Sequence, residues 1–175
     1  MKRNIALWQL VGFFAVCISG TVLHFLYDWS RQSLLISPFS AVNESTWEHM
    51  KLLYFPLLIF ALIESRYFKD YREFWCVKLI GTIVGLVMIP VLFYTYNGAF
   101  GKSPDWVNIT IFFVAVATSF YIETLLFKKR SIRCFAGWIP LTLIFIIGAA
   151  FVAFTFAAPH LPIFCDPITG SYGIG

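Results

Sequence analysis

The chain contains five apolar segments, each long enough to cross a lipid bilayer as a helix. A helix needs about 20 apolar residues to cross the roughly 30 Å hydrocarbon core. Because backbone amides in lipid must hydrogen-bond within their own segment, such spans are expected to be helical. They cover 5–27, 47–64, 74–96, 106–127 and 134–156. We predict an all-α integral membrane protein, with a five-helix bundle over residues 1–158 and a structured, non-helical tail over residues 159–175.

The composition agrees with a lipid environment. Hydrophobic residues make up 59% of the chain and charged residues 13%, whereas soluble domains carry about 25% charged residues. The formal net charge of +4 does not indicate nucleic acid binding, since the basic residues gather at the ends of the apolar segments. The lipid bilayer is therefore the expected partner, and no nucleic acid is expected.

Basic residues mark one end of the predicted bundle. Membrane proteins keep Lys and Arg in cytoplasmic loops, so this end is predicted to be cytoplasmic. The orientation then has a cytoplasmic N-terminus and an extracytoplasmic C-terminus, in a multi-pass protein of a bacterial cytoplasmic membrane. The residues that carry this signal are Lys2, Arg3, Arg66, Lys69, Arg72, Lys128, Lys129, Arg130 and Arg133.

The opposite, outer end collects all three histidines and most of the acidic residues. Three protein ligands with one open position are typical of a catalytic zinc site. We therefore hypothesise a site for Zn²⁺ or another divalent metal at this end. The predicted ligands are His24, His49, His160 and Asp166.

Carboxylates beside these histidines are the candidate catalytic groups. Glu48 is predicted to be the general base and Glu44 a second catalytic carboxylate. Ser45 and Glu48 also form a capping box, so a purely structural role for Glu48 at a helix start is the competing interpretation. Further residues are predicted to orient the ligands or bind substrate: Asp28, Asn43, Lys51 and Tyr94.

The tail after the fifth span is rich in proline and glycine but also apolar. The run from Asp166 to Gly170 is typical of a turn in which an aspartate caps its own backbone. Because a solvated tail would need fewer apolar residues, we predict that it folds back over the outer face. This arrangement would bring His160 near His24 and His49.

Other features are assigned structural roles. The cysteines Cys17, Cys76 and Cys134 are predicted to be small buried hydrophobic residues rather than a disulfide framework. Glu64 and Glu123 are expected to form interfacial ion pairs with nearby basic residues. The Gly81–Gly85 spacing is a GxxxG pattern, which lets helices approach closely.

Two motifs are specific enough to compare with known families. One is N-E-S-x-W-E-H at 43–49; the other is P-H-x-P-x-x-x-D-P-x-T-G-x-Y-G at 159–173. With the stretch 89–98, they make the chain similar to a family of small bacterial membrane proteins catalogued as a domain of unknown function. The resemblance implies one helical membrane domain and supplies no activity.

Three function classes follow from the sequence. The first is a metal-dependent hydrolase or transferase acting on a lipid or envelope substrate at the outer face. The second is a small transporter or channel element, which the scarcity of polar residues inside the spans disfavours. The third is a membrane binding or assembly subunit without catalysis. The sequence leaves open which class applies, and also the substrate and oligomeric state.

Overall fold

A computed structural model of the protein describes residues 5–129, 134 and 137–174. Within these residues there are five helices that are each long and apolar enough to cross a membrane, which confirms the predicted helical class and the five candidate spans. They are α1 (Ile5–Trp29), α2 (Thr46–Ser65), α3 (Phe74–Phe100), α4 (Asp105–Lys129) and α5 (Trp138–Phe156). Of the basic residues used to predict orientation, Lys2, Arg3, Arg130 and Arg133 lie outside the described residues.

The helix ends reflect local capping. Ser45 is the N-cap of α2 and its side chain accepts a hydrogen bond from the Glu48 backbone nitrogen at 3.4 Å, as the capping pattern predicted. α3 continues to Phe100, four residues beyond its predicted end, where Gly101 adopts a positive φ of 85° and stops it. α5 begins at Trp138 rather than at residue 134.

α2 lies at the centre of the bundle and contacts the other four helices. Consecutive helices run in opposite directions, so α1, α3 and α5 finish at the end where α2 and α4 begin. We call this the histidine end, because His24 and His49 lie there. Tyr54, fully buried in α2, donates a hydrogen bond to the Ile144 carbonyl of α5 at 2.5 Å.

Glycines permit the closest helix contacts. A Cβ added at Gly20 would lie 2.5 Å from the Phe112 ring and 2.6 Å from the Leu52 carbonyl oxygen. A Cβ at Gly85, in the GxxxG pattern, would lie 3.2 Å from the Ser119 Cβ. The absence of a side chain at these positions therefore allows α1 to pack closely against α2 and α4, and α3 against α4.

The cysteines are arranged differently from the prediction. Cys76 and Cys134 lie side by side, with Cα atoms 6.2 Å apart, a distance that allows a disulfide between the start of α3 and the segment before α5. These two cysteines are therefore neighbours, which the prediction of separate buried hydrophobic residues did not anticipate. Cys17 is a free, buried thiol in α1, as expected.

The tail contacts the histidine end through backbone and aromatic groups. A short 3₁₀ turn, Pro162–Phe164, brings the Phe164 ring to 4.6 Å from the Trp47 ring. The Ile174 nitrogen donates to the Thr155 carbonyl at 3.2 Å. Asn43, in the loop before α2, donates from its side chain to the Gly173 carbonyl at 3.1 Å. The end of the tail thus packs against both α5 and the α1–α2 loop.

Candidate metal site

Three metal-ligating side chains meet at the histidine end. One ligand atom from each of His24, Glu44 and His49 lies within 4.8 Å of the others. The His24 Nε2 atom is 3.8 Å from Glu44 Oε1, and the His49 Nε2 atom is 3.4 Å from Glu44 Oε2. The two imidazole centroids are 5.4 Å apart. The two histidines thus face the same carboxylate from two helices.

Local structure explains this convergence. His24 lies near the end of α1, and His49 lies in the first turns of α2. Glu44 immediately precedes the N-cap Ser45, whose backbone nitrogen donates to the Asn43 side chain at 2.9 Å. This Asx turn and the cap together fix the backbone on both sides of Glu44. The carboxylate is therefore held between the two rings by turn chemistry.

The hydrogen bonding of His49 leaves one nitrogen for a ligand. Its Nδ1 atom lies 2.9 Å from the Ser45 carbonyl oxygen, which can only accept, so Nδ1 carries a proton. In the neutral ring, the lone pair is then on Nε2 and faces Glu44. Two acceptors at 3.4 Å repel each other unless a second proton or a cation lies between them.

The spacing suits a small metal ion. Zinc binds imidazole nitrogen and carboxylate oxygen at about 2.0–2.2 Å, so two ligands of a tetrahedral ion lie about 3.3–3.5 Å apart. The distance of 3.4 Å from His49 Nε2 to Glu44 Oε2 already matches this value, whereas the 3.8 Å distance from His24 Nε2 ends at the other oxygen, Oε1. With one atom from each residue, the three ligands lie within 4.8 Å of one another, so binding a single ion needs a contraction of up to about 1.3 Å. Two histidines and one glutamate form a known ligand set of catalytic zinc.

A cavity opens directly beside the three ligands. Its volume is about 450 Å³, and His24, Glu44 and His49 all line it. This volume is within the range of about 300–1,000 Å³ that is typical of small-molecule sites. The rest of its wall is mainly apolar and includes Phe25 and Phe112. The site therefore joins a polar, metal-ligating end to a cavity suited to a hydrocarbon chain.

Two further polar residues of α4, Asp105 and Asn108, line the same cavity. Asp105 is exposed in the first turn of α4, and the Asn108 side chain accepts a hydrogen bond from the Ser103 hydroxyl at 2.8 Å. Sequence reasoning placed Asp105 at this end but gave it no role. The signal that could have found both is their position at the start of α4, which an alternating bundle brings to the same membrane face as the end of α1.

The structure does not bring the predicted ligands His160 and Asp166 into this group. His160 is exposed, and its ring packs edge-to-face on Tyr172 at 4.7 Å. Asp166 is buried and accepts hydrogen bonds from the Ile168 nitrogen at 2.8 Å and the Thr169 hydroxyl at 2.7 Å. These are the contacts of the turn-capping aspartate that the tail sequence indicated.

Glu48 and Lys51 form a separate buried pair. The Lys51 Nζ atom is 2.5 Å from Glu48 Oε2 and also donates to the Ser37 carbonyl at 2.9 Å and the Thr155 hydroxyl at 2.8 Å. Glu48 accepts a further bond from the Val42 nitrogen at 3.0 Å. Lys51 therefore uses all three of its protons within the protein, and the pair ties α2 to the α1–α2 loop and α5.

The other predicted supporting residues have varied positions. Asp28 is exposed one turn beyond His24 on α1. Asn43 holds both the Ser45 backbone and the tail. Tyr94 is 41% exposed on α3, and it is not among the residues that line the cavity.

Comparison with known families agrees with the resemblance seen in the motifs. The sequence profile of DUF6512, which is described as a family of unknown function, matches residues 1–174. The chain belongs to this family. No curated protein and no solved structure matches it.

This DUF6512 chain also holds a second polar cluster, at the end opposite the histidines. Lys78 of α3 forms ion pairs with Glu64 of α2 and with Glu123 of α4, the latter at 2.6 Å. Gln9 of α1 donates from its side chain to Glu64 at 3.3 Å. Glu64 and Lys78 lie close to their helix ends, so ion pairs form near the expected level of the bundle, but all three charged side chains are buried among the helices without solvent exposure.

Proposed function

We propose that this protein is a metal-dependent membrane hydrolase that acts on an amphiphilic ester or amide at the histidine end. The observation that carries the proposal is that His24, Glu44 and His49 have metal-ligand spacing and all line one cavity. We further propose that this end faces the extracytoplasmic side, because the basic residues lie at the other end. The substrate class is then a membrane lipid or an envelope amphiphile.

The residues of the chain divide the chemistry between them. His24, His49 and Glu44 hold the ion, and the Ser45 carbonyl orients the His49 ring. A bound Zn²⁺ would lower the pKa of a coordinated water to about 7 and supply a nucleophile. The apolar wall of the cavity receives the hydrocarbon part of the substrate, which brings the scissile bond to the ligand end.

Asp105 is the proposed proton acceptor. It is exposed and lines the same cavity as the three ligands. The predicted base Glu48 already accepts from Lys51 and Val42, which supports a structural role for it. The proposal therefore assigns Glu44 to the metal and proton transfer to Asp105, in place of Glu48.

Metal content is the first test. Protein purified in detergent without chelator should contain about one zinc per chain, measured by inductively coupled plasma mass spectrometry. Glu44→Gln, which keeps the side-chain shape, and His49→Ala should each lose most of the metal while circular dichroism remains helical. His160→Ala is the matched control and should keep it. Equal metal in Glu44→Gln and wild type, or no metal in wild type, would refute the site.

Activity is the second test. The zinc-loaded protein should hydrolyse p-nitrophenyl esters, faster with a long acyl chain than with acetate, because the cavity wall is apolar. Chelation and Asp105→Asn should each lower the rate, Asp105→Asn without loss of metal. A protein that binds zinc but shows no chelator-sensitive hydrolysis would keep the metal site and exclude the hydrolase.

A further inference from the structure

The cluster of Glu64, Lys78 and Glu123 contains two acidic groups and one basic group, all without solvent exposure. From α1, the polar residue that reaches the cluster is Gln9, which carries no charge. If both carboxylates were ionised, the interior would hold one uncompensated negative charge. Burying such a charge in a medium of low dielectric constant is costly, so the site is expected to take up a cation.

The surroundings favour a proton over a metal ion. The Lys78 ammonium already lies between the carboxylates and would repel a second cation. Aromatic rings enclose the ammonium on the remaining sides, with centroids 5.5–5.8 Å away. The other buried oxygens without a hydrogen-bond partner in this half of the bundle, Gln9 Oε1 and Thr82 Oγ1, are uncharged and do not offset that repulsion. A proton needs no further oxygen ligands and forms part of the carboxyl group itself.

The two carboxylates are not equivalent. The Glu64 Oε1 atom accepts a hydrogen bond from Gln9, and its Oε2 atom contacts the Lys78 ammonium as an ion pair without a directed hydrogen bond. Glu123 pairs with Lys78 through Oε2 only, and its Oε1 atom is buried without a hydrogen-bond partner. A carboxylate with fewer donors is the easier one to protonate. The Thr82 hydroxyl, also buried and without a partner, is one of the polar groups in this half of α3.

We propose that Gln9, Glu64, Lys78 and Glu123 form a proton-binding site, in which the Glu123 carboxyl group holds one exchangeable proton. The site is independent of the metal site at the other end of the bundle. The charged groups that face Glu123 are Lys78 from α3 and Glu64 from α2. With one proton bound, the buried charges sum to zero.

Infrared spectroscopy tests the proton count, because a protonated carboxyl group absorbs apart from a carboxylate. Wild-type protein in detergent at neutral pH should show the signal of one buried carboxylic acid. The signal should disappear in Glu123→Gln and in Glu64→Gln, since either variant balances the single lysine. Lys78→Met should double it, because two carboxylates then lack a cation. Glu44→Gln, at the other end, is the control and should leave it unchanged.

Conservative variants assign the proton to one residue. Glu123→Asp should move the signal to the position of an aspartic acid, whereas Glu64→Asp should leave it in place. A wild-type protein without the signal, or a signal that persists unchanged in Glu123→Gln, would overturn the proposal. A signal that moves in Glu64→Asp instead would overturn the assignment to Glu123.

A stability measurement covers the case in which a variant gives too little protein for spectroscopy. Raising the pH removes the proton and leaves a net buried negative charge, so the melting temperature of the wild type should fall at alkaline pH. The melting temperature of Glu64→Gln, which lacks the excess carboxylate, should fall less. Equal alkaline losses in the two proteins would contradict a bound proton at this site.

Discussion

Lys51→Met is the substitution whose effect the structure defines most closely. It replaces a fully buried ammonium by an apolar side chain of similar length and leaves the Glu48 carboxylate buried with its charge uncompensated. Removing one member of a buried ion pair costs about 3–5 kcal/mol. The Val42 nitrogen still donates to Glu48, which favours the lower end of that range, about 3 kcal/mol.

The double variant Glu48→Gln/Lys51→Met separates the charge effect from packing. The Gln side chain can still accept from Val42, so the unpaired charge is gone and the loop contact remains. What remains lost is the pair of hydrogen bonds from Lys51 to Ser37 and Thr155, worth about 1 kcal/mol each. We therefore expect the double variant to be more stable than Lys51→Met by about 1 kcal/mol or more.

The assay is unfolding by sodium dodecyl sulfate in detergent micelles, followed by circular dichroism. Lys102→Met is the matched control, because Lys102 is exposed, and it should change the free energy of unfolding by less than about 0.5 kcal/mol. The reasoning fails if Lys51→Met unfolds like the control, or if the double variant is less stable than Lys51→Met. Either result would mean that the pair does not secure α2.

Two further outcomes are expected. Gly81→Ala should lower the free energy of unfolding by about 1–3 kcal/mol in the same assay, because the new Cβ would lie 2.5 Å from Glu123 Oε1. Gly98→Ala is the control, because Gly98 has open space around it, and it should raise the free energy of unfolding by about 0.5–1 kcal/mol. Equal effects of the two substitutions would contradict the contact at Gly81. Alkylation of the denatured, unreduced protein should detect two free thiols, and the number should rise to four after reduction of Cys76–Cys134. Four free thiols before reduction would show that the disulfide does not form.

The helices could be predicted because lipid imposes both their length and their hydrogen bonding. The start of α2 could also be predicted, since Ser45 caps it through local chemistry. The meeting of His24 and His49 follows from alternating spans alone, which bring the end of α1 beside the start of α2. These features depend on short stretches of chain and on a bilayer of fixed thickness.

What failed depends on long-range packing. His160 was expected beside the other histidines, but the tail is set by contacts such as Phe164 on Trp47, which no local pattern encodes. The complete burial of Lys78 and Glu123 was not predicted, because the rotation of α3 and α4 about their axes could not be determined from the sequence. Helices that are apolar on every side carry little amphipathic signal to show which face is internal.

Lys51 has a consequence for how the protein is made. α2 is the least apolar of the five spans and carries Glu48, Lys51 and Glu64 within its length. Lys51 lies in the second turn of α2, near the histidine end, where a charged side chain opposes membrane insertion by less than the about 2.5–3.5 kcal/mol of a mid-span lysine. One of the hydrogen-bond partners of Lys51 is Thr155, which emerges from the ribosome 104 residues later. We therefore expect a nascent chain that stops short of α5 to leave Lys51 without this partner and to present α2 to membrane quality control.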